Sequence, residues 1–353
     1  MRYNILGRTG LFVSEFCLGT MGFGANPGPY AVAGWLEEAE AEPIFRRAFD
    51  SGINFVDSAN VYAGGRSEEI IGRVIKKFGI ARHEIVIATK GEHPVGQGPN
   101  DAGASRQHIV AQVKASLTRL DSDYIDLYQL HGWDPLTPLE ETVRTLDDLV
   151  RQGCIRYIGI SNWAAWQIEK ALGVSKSVNA TSFQSLQAYY SLAARDLERE
   201  IVPMLETERL GLVVWSPLAG GYLSGKYRNG GIGRRSSIPF PPVDEKKGES
   251  VLAAMEGIAA AHGVPMATIA LAWLLHQKVV TSIVLGVKNL GQLEDHLKAA
   301  EVTLSEEDLK KLDAASALSP EYPGWMLQTG NAMRQKLLEP GRLLQPDPHS
   351  DLR

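Results

Sequence analysis

Asp57, Tyr62, Lys90 and His131 stand at or just beyond the ends of three short apolar runs. Ile53-Asn54-Phe55-Val56 closes on Asp57, with Tyr62 five residues further on. Ile85-Val86-Ile87-Ala88-Thr89 closes on Lys90, and Ile125-Asp126-Leu127-Tyr128-Gln129-Leu130 closes on His131. Tyrosine is a poor acid, with an unperturbed pKa of about 10. A neighbouring ammonium favours the phenolate and lowers that value. Lys90 would supply the ammonium, Asp57 would hold Lys90 through an ion pair, and His131 would hydrogen-bond a carbonyl oxygen and share in proton transfer. The set has no Ser or Cys nucleophile beside a base and no metal-ligand spacing. It suits the protonation of an oxyanion as it forms, which a carbonyl reductase needs when hydride comes from a nicotinamide cofactor. Taken singly, each residue has a plainer use: a helix cap, a packed ring, a solvated strand end, a structural histidine. Their joint placement is what points to one site.

Such residues meet if the strands are parallel and close into a barrel, because the C-terminal ends of all barrel strands share one face. The alternation of apolar runs and helical periodicity predicts strands near residues 15–19, 55, 87, 127, 158, 183, 213 and 284. Helices are expected near 37–50, 67–78, 105–120, 138–152, 163–173, 196–208, 249–262 with 266–277, and 289–300. Thr137 before Pro138 reads as an N-cap with proline in the first turn. Ser305 ahead of Glu306, Glu307 and Asp308 starts a further helix as the dipole favours. Eight strand–helix units make an α/β protein of the (β/α)8 TIM-barrel class. A doubly wound sheet is the alternative. It would carry G-x-G-x-x-G after its first strand, and Gly19-Thr20-Met21-Gly22-Phe23-Gly24 has the glycines in the wrong order, with no helix directly after it. Residues 3–13 form an N-terminal hairpin that could plug one end. Residues 219–248 are a long loop after strand 7, and loops of that length are usually functional. The chain reads as one domain over 1–353, with a tail that partly folds over the barrel and is disordered from about 340.

The 353 residues are 44% hydrophobic, enough for a large core, and the net charge of −5 gives no electrostatic reason to expect nucleic acid or an anionic membrane. Cys17 and Cys154 sit in apolar neighbourhoods and read as free thiols. The N-terminus lacks the apolar core of a signal peptide, and no run approaches the roughly 20 residues that span a bilayer. The expectation is a soluble cytoplasmic protein, with homo-oligomerisation open.

Several stretches together resemble the aldo-keto reductases along nearly the whole chain. They are Gly7-Arg8-Thr9-Gly10, Leu18-Gly19-Thr20-Met21, Asn54-Phe55-Val56-Asp57-Ser58-Ala59 with Tyr62, and Ile87-Ala88-Thr89-Lys90. Asp126 to His131, Tyr157-Ile158-Gly159-Ile160-Ser161-Asn162, Trp215-Ser216-Pro217-Leu218, Gln292-Leu293-Glu294 and Trp325 continue the series. The Trp-Ser-Pro-Leu-Ala-Gly-Gly run and the loop after it resemble the bacterial and potassium-channel-β-like branch. The resemblance implies a reductase of aldehydes and ketones with Tyr62 as general acid, Lys90 and Asp57 as its tuners and His131 orienting the carbonyl. It implies that Ser161, Asn162 and Gln184 grip the nicotinamide carboxamide, with Trp215 stacked on the ring. Thr20 and Met21 would contact the cofactor, and the Ser216-Pro217-Leu218 backbone, Gly220, Leu223 and Lys226 would line its pyrophosphate. Gly286, Val287, Lys288 and Gln292 would surround the adenosine end. Lys288, a point charge where many relatives have Arg or Ser, implies NADPH as cofactor with NADH the alternative; His296 replaces an asparagine common in relatives.

The substrate pocket would be built from loops carrying Met21, Trp35, His93, Trp133, Trp325 and Met326, a lining suited to an apolar or planar carbonyl compound. Two other readings compete. Channel-β-like relatives keep the barrel and cofactor site as partners of a membrane protein with little turnover. A barrel isomerase using Lys90 as a Schiff base would leave Ser161, Asn162 and Gln184 unexplained.

Overall fold

The computed structural model describes residues 1–24 and 36–327; Trp35 and the tail expected from about 340 lie outside them. Residues 1–316 form one compact unit, and 317–353 a second. The first opens with the hairpin β1 (Tyr3–Ile5) and β2 (Phe12–Ser14), then β3 (Phe16–Gly19), α1 (Glu38–Asp50), β4 (Phe55–Asp57), α2 (Arg66–Lys77) and β5 (Val86–Gly91). It continues with α3 (Arg106–Leu120), β6 (Ile125–Leu130), α4 (Leu139–Arg151), β7 (Ile155–Ser161), α5 (Ala165–Ser177), β8 (Phe183–Tyr189), α6 (Ile201–Glu208) and β9 (Gly211–Trp215). The short α7 (Arg234–Ser237) precedes α8 (Glu245–His262), α9 (Met266–Leu275), β10 (Val280–Gly286), α10 (Leu290–Leu297) and α11 (Glu306–Ser316). Strands β3 to β10 close into a parallel barrel, β10 pairing with both β3 and β9. This is the (β/α)8 architecture expected from the sequence.

Alternation along each strand builds two apolar layers. Cys17, Phe55, Val86, Ala88, Leu127 and Val213 form an inner cluster together with Leu6 and Val13 of the hairpin, which thus plugs the barrel. The larger outer layer packs strand faces on helices, for example Ile70, Ile71 and Val74 of α2 against Ile87 and Val113. The plug fits closely. At Gly7, with φ 57°, a Cβ would run into the carbonyl of Gln184 at the entry of β8.

Helix starts follow the local chemistry. Ser105 and Asn289 accept backbone N–H groups of His108 and Gln292, and Ser305 accepts the amide of Asp308, whose carboxylate takes that of Ser305 in return. At α4 the cap lies one residue later than expected: Pro138 holds it, while the Thr137 hydroxyl donates to Asp134. The long segment after β9 is not structureless; it contains three short helical turns, Ala219–Ser224, Lys226–Asn229 and α7. Among the described residues no single helix is long and apolar enough to cross a membrane.

Candidate active site

Strand β4 delivers Asp57, and the chain beyond it is stitched to the next strand: Ser58 N–H donates to Ala88 O (2.9 Å) and Asn60 N–H to Lys90 O (3.0 Å). A tight turn, with Ala63, Gly64 and Gly65 all at positive φ, then places Tyr62 beside the mouth and leads into α2. Beneath this turn Ser67 Oγ lies 2.8 Å from the Thr20 hydroxyl, and that hydroxyl donates to Asp57 O (2.9 Å). The buried Thr20 side chain thus ties β3, β4 and α2 together. Its backbone is engaged as well: Thr20 N–H donates to Asp57 O, and Thr20 O accepts from Phe23 N–H and the Ser67 hydroxyl.

Lys90 has no solvent exposure. Its three donors are met by Asp57 Oδ2 at 2.6 Å, Ser58 O at 2.8 Å and the Tyr62 oxygen at 3.5 Å. Burial works against the ammonium, but Asp57, and after it Tyr62, outweigh that cost and hold its pKa above the usual lysine value. A Schiff-base role needs a neutral amine that can reach substrate, so this environment argues against that reading. The other oxygen of the carboxylate, Asp57 Oδ1, accepts from Gln129 Nε2 (3.2 Å) and Gln187 Nε2 (2.7 Å). A buried carboxylate is thereby satisfied on both sides.

His131 N–H bonds to Gly91 O at 2.9 Å, and the imidazole stands edge-on to Tyr62 with ring centroids 6.0 Å apart. Burial first, then Lys90 and His93, push its pKa well below the usual histidine value, so the ring is neutral. His93 lies flat on it at 4.1 Å. The four residues expected to form one site are therefore assembled around a single buried ammonium.

Ser161 is buried at the end of β7. Asn162 follows at φ 62° and bridges neighbouring strand ends, donating to His131 O (3.2 Å) and accepting from Trp215 Nε1 (3.0 Å). Trp215 stacks on Tyr189 (5.0 Å) and Phe240 (5.9 Å).

Gln184 is not at this face. It lies at the entry of β8, where its Oε1 accepts from Arg8 N–H of the hairpin and its Nε2 donates to Ser182 O. The register slips between Ile158 and Gly159, so that Phe183 and Ser185 take successive partners and Gln184 is the extra residue. The glutamine that reaches the mouth is Gln187, whose O also accepts Asn162 N–H (3.2 Å). Gln187 and Gln129 were missed in the sequence; strand parity finds Gln129, whereas the register slip hides Gln187. Gln129 shares a strand face with His131 two residues on, and Gln187 shares one with Ser185.

Beyond β9, Ser216, Ala219, Gly220 and Gly221 all have positive φ, and the Ser216 hydroxyl accepts Gly220 N–H. Pro217 and Leu223 are buried beneath this turn and Leu218 is half-buried. Lys226 is exposed and, among the described residues, has no carboxylate partner. Its neighbours are committed: Arg228 pairs with Glu249 and Glu256, and Arg235 donates to Ala219 O and Pro241 O. At the end of β10, Gly286 and Lys288 are exposed and Val287 is buried; Gln292 Oε1 accepts Lys288 N–H (2.9 Å). His296 on α10 is buried with Nδ1 unpartnered, and burial pushes its pKa down to about 4. Tight left-handed turns, a lysine at each end without a carboxylate partner among the described residues, and an orphaned buried nitrogen suit a dinucleotide whose phosphates and base need partners.

Of the expected pocket residues, Met21 is half-buried beside Thr20 and His93 stacks on His131. Trp133 packs edge-on to Trp163 and Trp166, against the outer apolar layer. Trp325 and Met326 are both about half exposed in the second unit, where Trp325 meets Tyr322 edge-on.

The sequence model of the aldo/keto reductase family matches residues 15–317. A probable voltage-gated potassium channel subunit beta of Arabidopsis thaliana is 37% identical, over 92% of this chain and 99% of that protein. An uncharacterized oxidoreductase of Bacillus subtilis is 37% identical, over 92% of this chain and all of its own length. The versiconal hemiacetal acetate reductase of Aspergillus parasiticus is 33% identical, over 92% and 99%. With the closed barrel and the quartet at its mouth, these matches make the chain a member of the aldo/keto reductase family, an NAD(P)H-dependent oxidoreductase acting on carbonyl compounds.

Proposed function

We propose that the protein reduces aldehydes or ketones to alcohols with NADPH in preference to NADH, and that Tyr62 is the general acid. The observation that carries this reading is Lys90, an ammonium without solvent exposure whose donors end on Asp57, Ser58 and the Tyr62 oxygen. A cation held beside a phenol favours the phenolate, so Tyr62 releases its proton more readily to an alkoxide forming on the substrate. Asp57, fixed by two carboxamides, keeps the ammonium in place. Neutral His131 donates to the carbonyl oxygen and orients it; an imidazolium would compete for the proton that Tyr62 delivers.

Bound NADPH would supply the hydride. Ser161 and Asn162, with Gln187 beside them, would hold its carboxamide, and Trp215 would flank the ring. The Ser216–Leu223 turn and Lys226 would meet the phosphates, while Gly286, Val287 and Gln292 surround the adenosine. Lys288 would meet a 2′-phosphate as a point charge.

Purified protein given NADPH and a panel of aldehydes and ketones tests the reading by the loss of reduced-nicotinamide absorbance. Turnover faster with NADPH than with NADH is the expected result. The Arabidopsis relative's name motivates a second reading, a cofactor-binding regulatory subunit with little turnover. Tight NADPH binding with no oxidation by any carbonyl compound would favour it.

A further inference from the structure

His131 lacks the support that usually fixes a catalytic imidazole. A hydrogen bond on one ring nitrogen ordinarily sets the direction of the other, yet His131 Nδ1 is buried with no partner. What holds the ring is contact: Tyr62 on its edge and His93 flat on its face, 4.1 Å away and 9° from parallel. His93 is itself held, its Nδ1 lying 2.8 Å from Glu92 Oε2.

Glu92 has a backbone that suits a different residue. Its φ is 108°, a region glycine enters freely and a glutamate enters only under strain. The main chain there closes the loop, Glu92 O accepting Gly103 N–H at 2.8 Å, and a glycine would serve that purpose. The carboxylate is what a glycine could not supply. Room for it is made by the neighbour of His131: a Cβ on Gly132 would come 3.0 Å from Glu92 Oε2.

We propose that Glu92 and His93 are positioning residues for His131. The Glu92 carboxylate fixes the ring of His93, and that ring, stacked on His131, sets the plane in which His131 meets the substrate carbonyl. The proposal rests on the role given to His131 above. It explains why a strained glutamate stands where the backbone asks for glycine.

Four single variants, and one double variant compared with His131→Ala, test it, with four readouts: kcat, cofactor affinity by titration, melting temperature, and ring-nitrogen NMR shifts of His131. His93→Ala should lower kcat by roughly tenfold through misorientation, leave NADPH affinity unchanged and move the His131 ring shifts. His93→Phe keeps a flat ring and should recover most of the loss. Glu92→Gly should cost a similar factor in kcat while the melting temperature holds or rises, because strain is relieved. Glu92→Gln, which keeps an acceptor, should stay near wild type. In a His131→Ala background, His93→Ala should add nothing. Unmoved His131 shifts in His93→Ala would overturn the proposal, as would Glu92→Gly losing stability in step with activity. The NMR readout needs no turnover, so it judges the clamp even if Tyr62 proves not to be the acid.

Discussion

The two sides of the barrel mouth are built differently. On the side of β4, β5 and β6, Asp57, Lys90, Gln129 and Tyr62 are buried, every donor of Lys90 is met, both oxygens of Asp57 accept, and the unpartnered buried Gln129 Oε1 and His131 Nδ1 carry no charge. On the side of β9 and β10, the backbone takes positive φ at Ser216 and again at Ala219, Gly220 and Gly221, Lys226 and Lys288 stand exposed, and His296 Nδ1 has no partner. The first side carries its charges already neutralised by the fold. The second carries groups whose partners a ligand would bring. Proton chemistry needs atoms fixed before the substrate arrives, whereas binding a dinucleotide needs groups not yet engaged.

The largest expected effect breaks the side whose charges are paired. Lys90→Met leaves the Asp57 carboxylate buried without its cation, which typically costs about 3–5 kcal/mol. Urea unfolding should show that loss, and turnover should vanish with it. A change below about 1 kcal/mol would mean that the pair is not held as a closed network.

The next effect belongs to the open side and appears with pH. The folded-state pKa of His296, about 4, lies below the usual histidine value of 6.5, so the unfolded chain binds the proton first as pH falls. Its contribution is whole above about 6.5 and is lost progressively towards 4, by up to roughly 3 kcal/mol. His131 shifts in the same direction. His296→Asn should flatten the fall in melting temperature across this window. An unchanged acid profile would place the acid sensitivity in His131 or elsewhere.

The smallest effect sharpens the contrast. Lys288→Ala removes one charge-assisted contact, typically about 1.5–3 kcal/mol, and should weaken NADPH roughly tenfold or more while NADH changes little. Equal weakening of both cofactors would make Lys288 structural and leave the NADPH preference to Lys226.

The same asymmetry governs what could be read from the sequence. Asp57, Lys90 and His131 were legible because each ends a β-branched run, and a parallel barrel brings such ends together. Their supports were harder to see. Gln129 lies inside the run Ile125–Leu130, and only strand parity shows that it shares a face with His131. The resemblance pointed to Gln184, but a register slip at the start of β8, invisible in composition, adds one residue there and brings Gln187 to Asp57 instead. Thr20 read as a ligand contact, yet its hydroxyl is spent on Asp57 O and Ser67. Trp133 read as pocket lining, and its edge-on contacts with Trp163 and Trp166 could not be read from the sequence. Loop residues carry no periodicity, so their direction is set by neighbours that the sequence does not name.

Tyr62→Phe tests the central claim most directly, because it removes the phenol hydroxyl and almost no bulk. The measurement is a pair: NADPH oxidation by the best carbonyl substrate of the wild type, and NADPH affinity by fluorescence titration. General acid catalysis typically contributes about 10²–10⁴-fold, so turnover should fall by at least about a hundredfold, with cofactor affinity nearly unchanged. Substantial carbonyl reduction by the purified variant would contradict the account and leave Lys90 and His131 as the proton donors to examine.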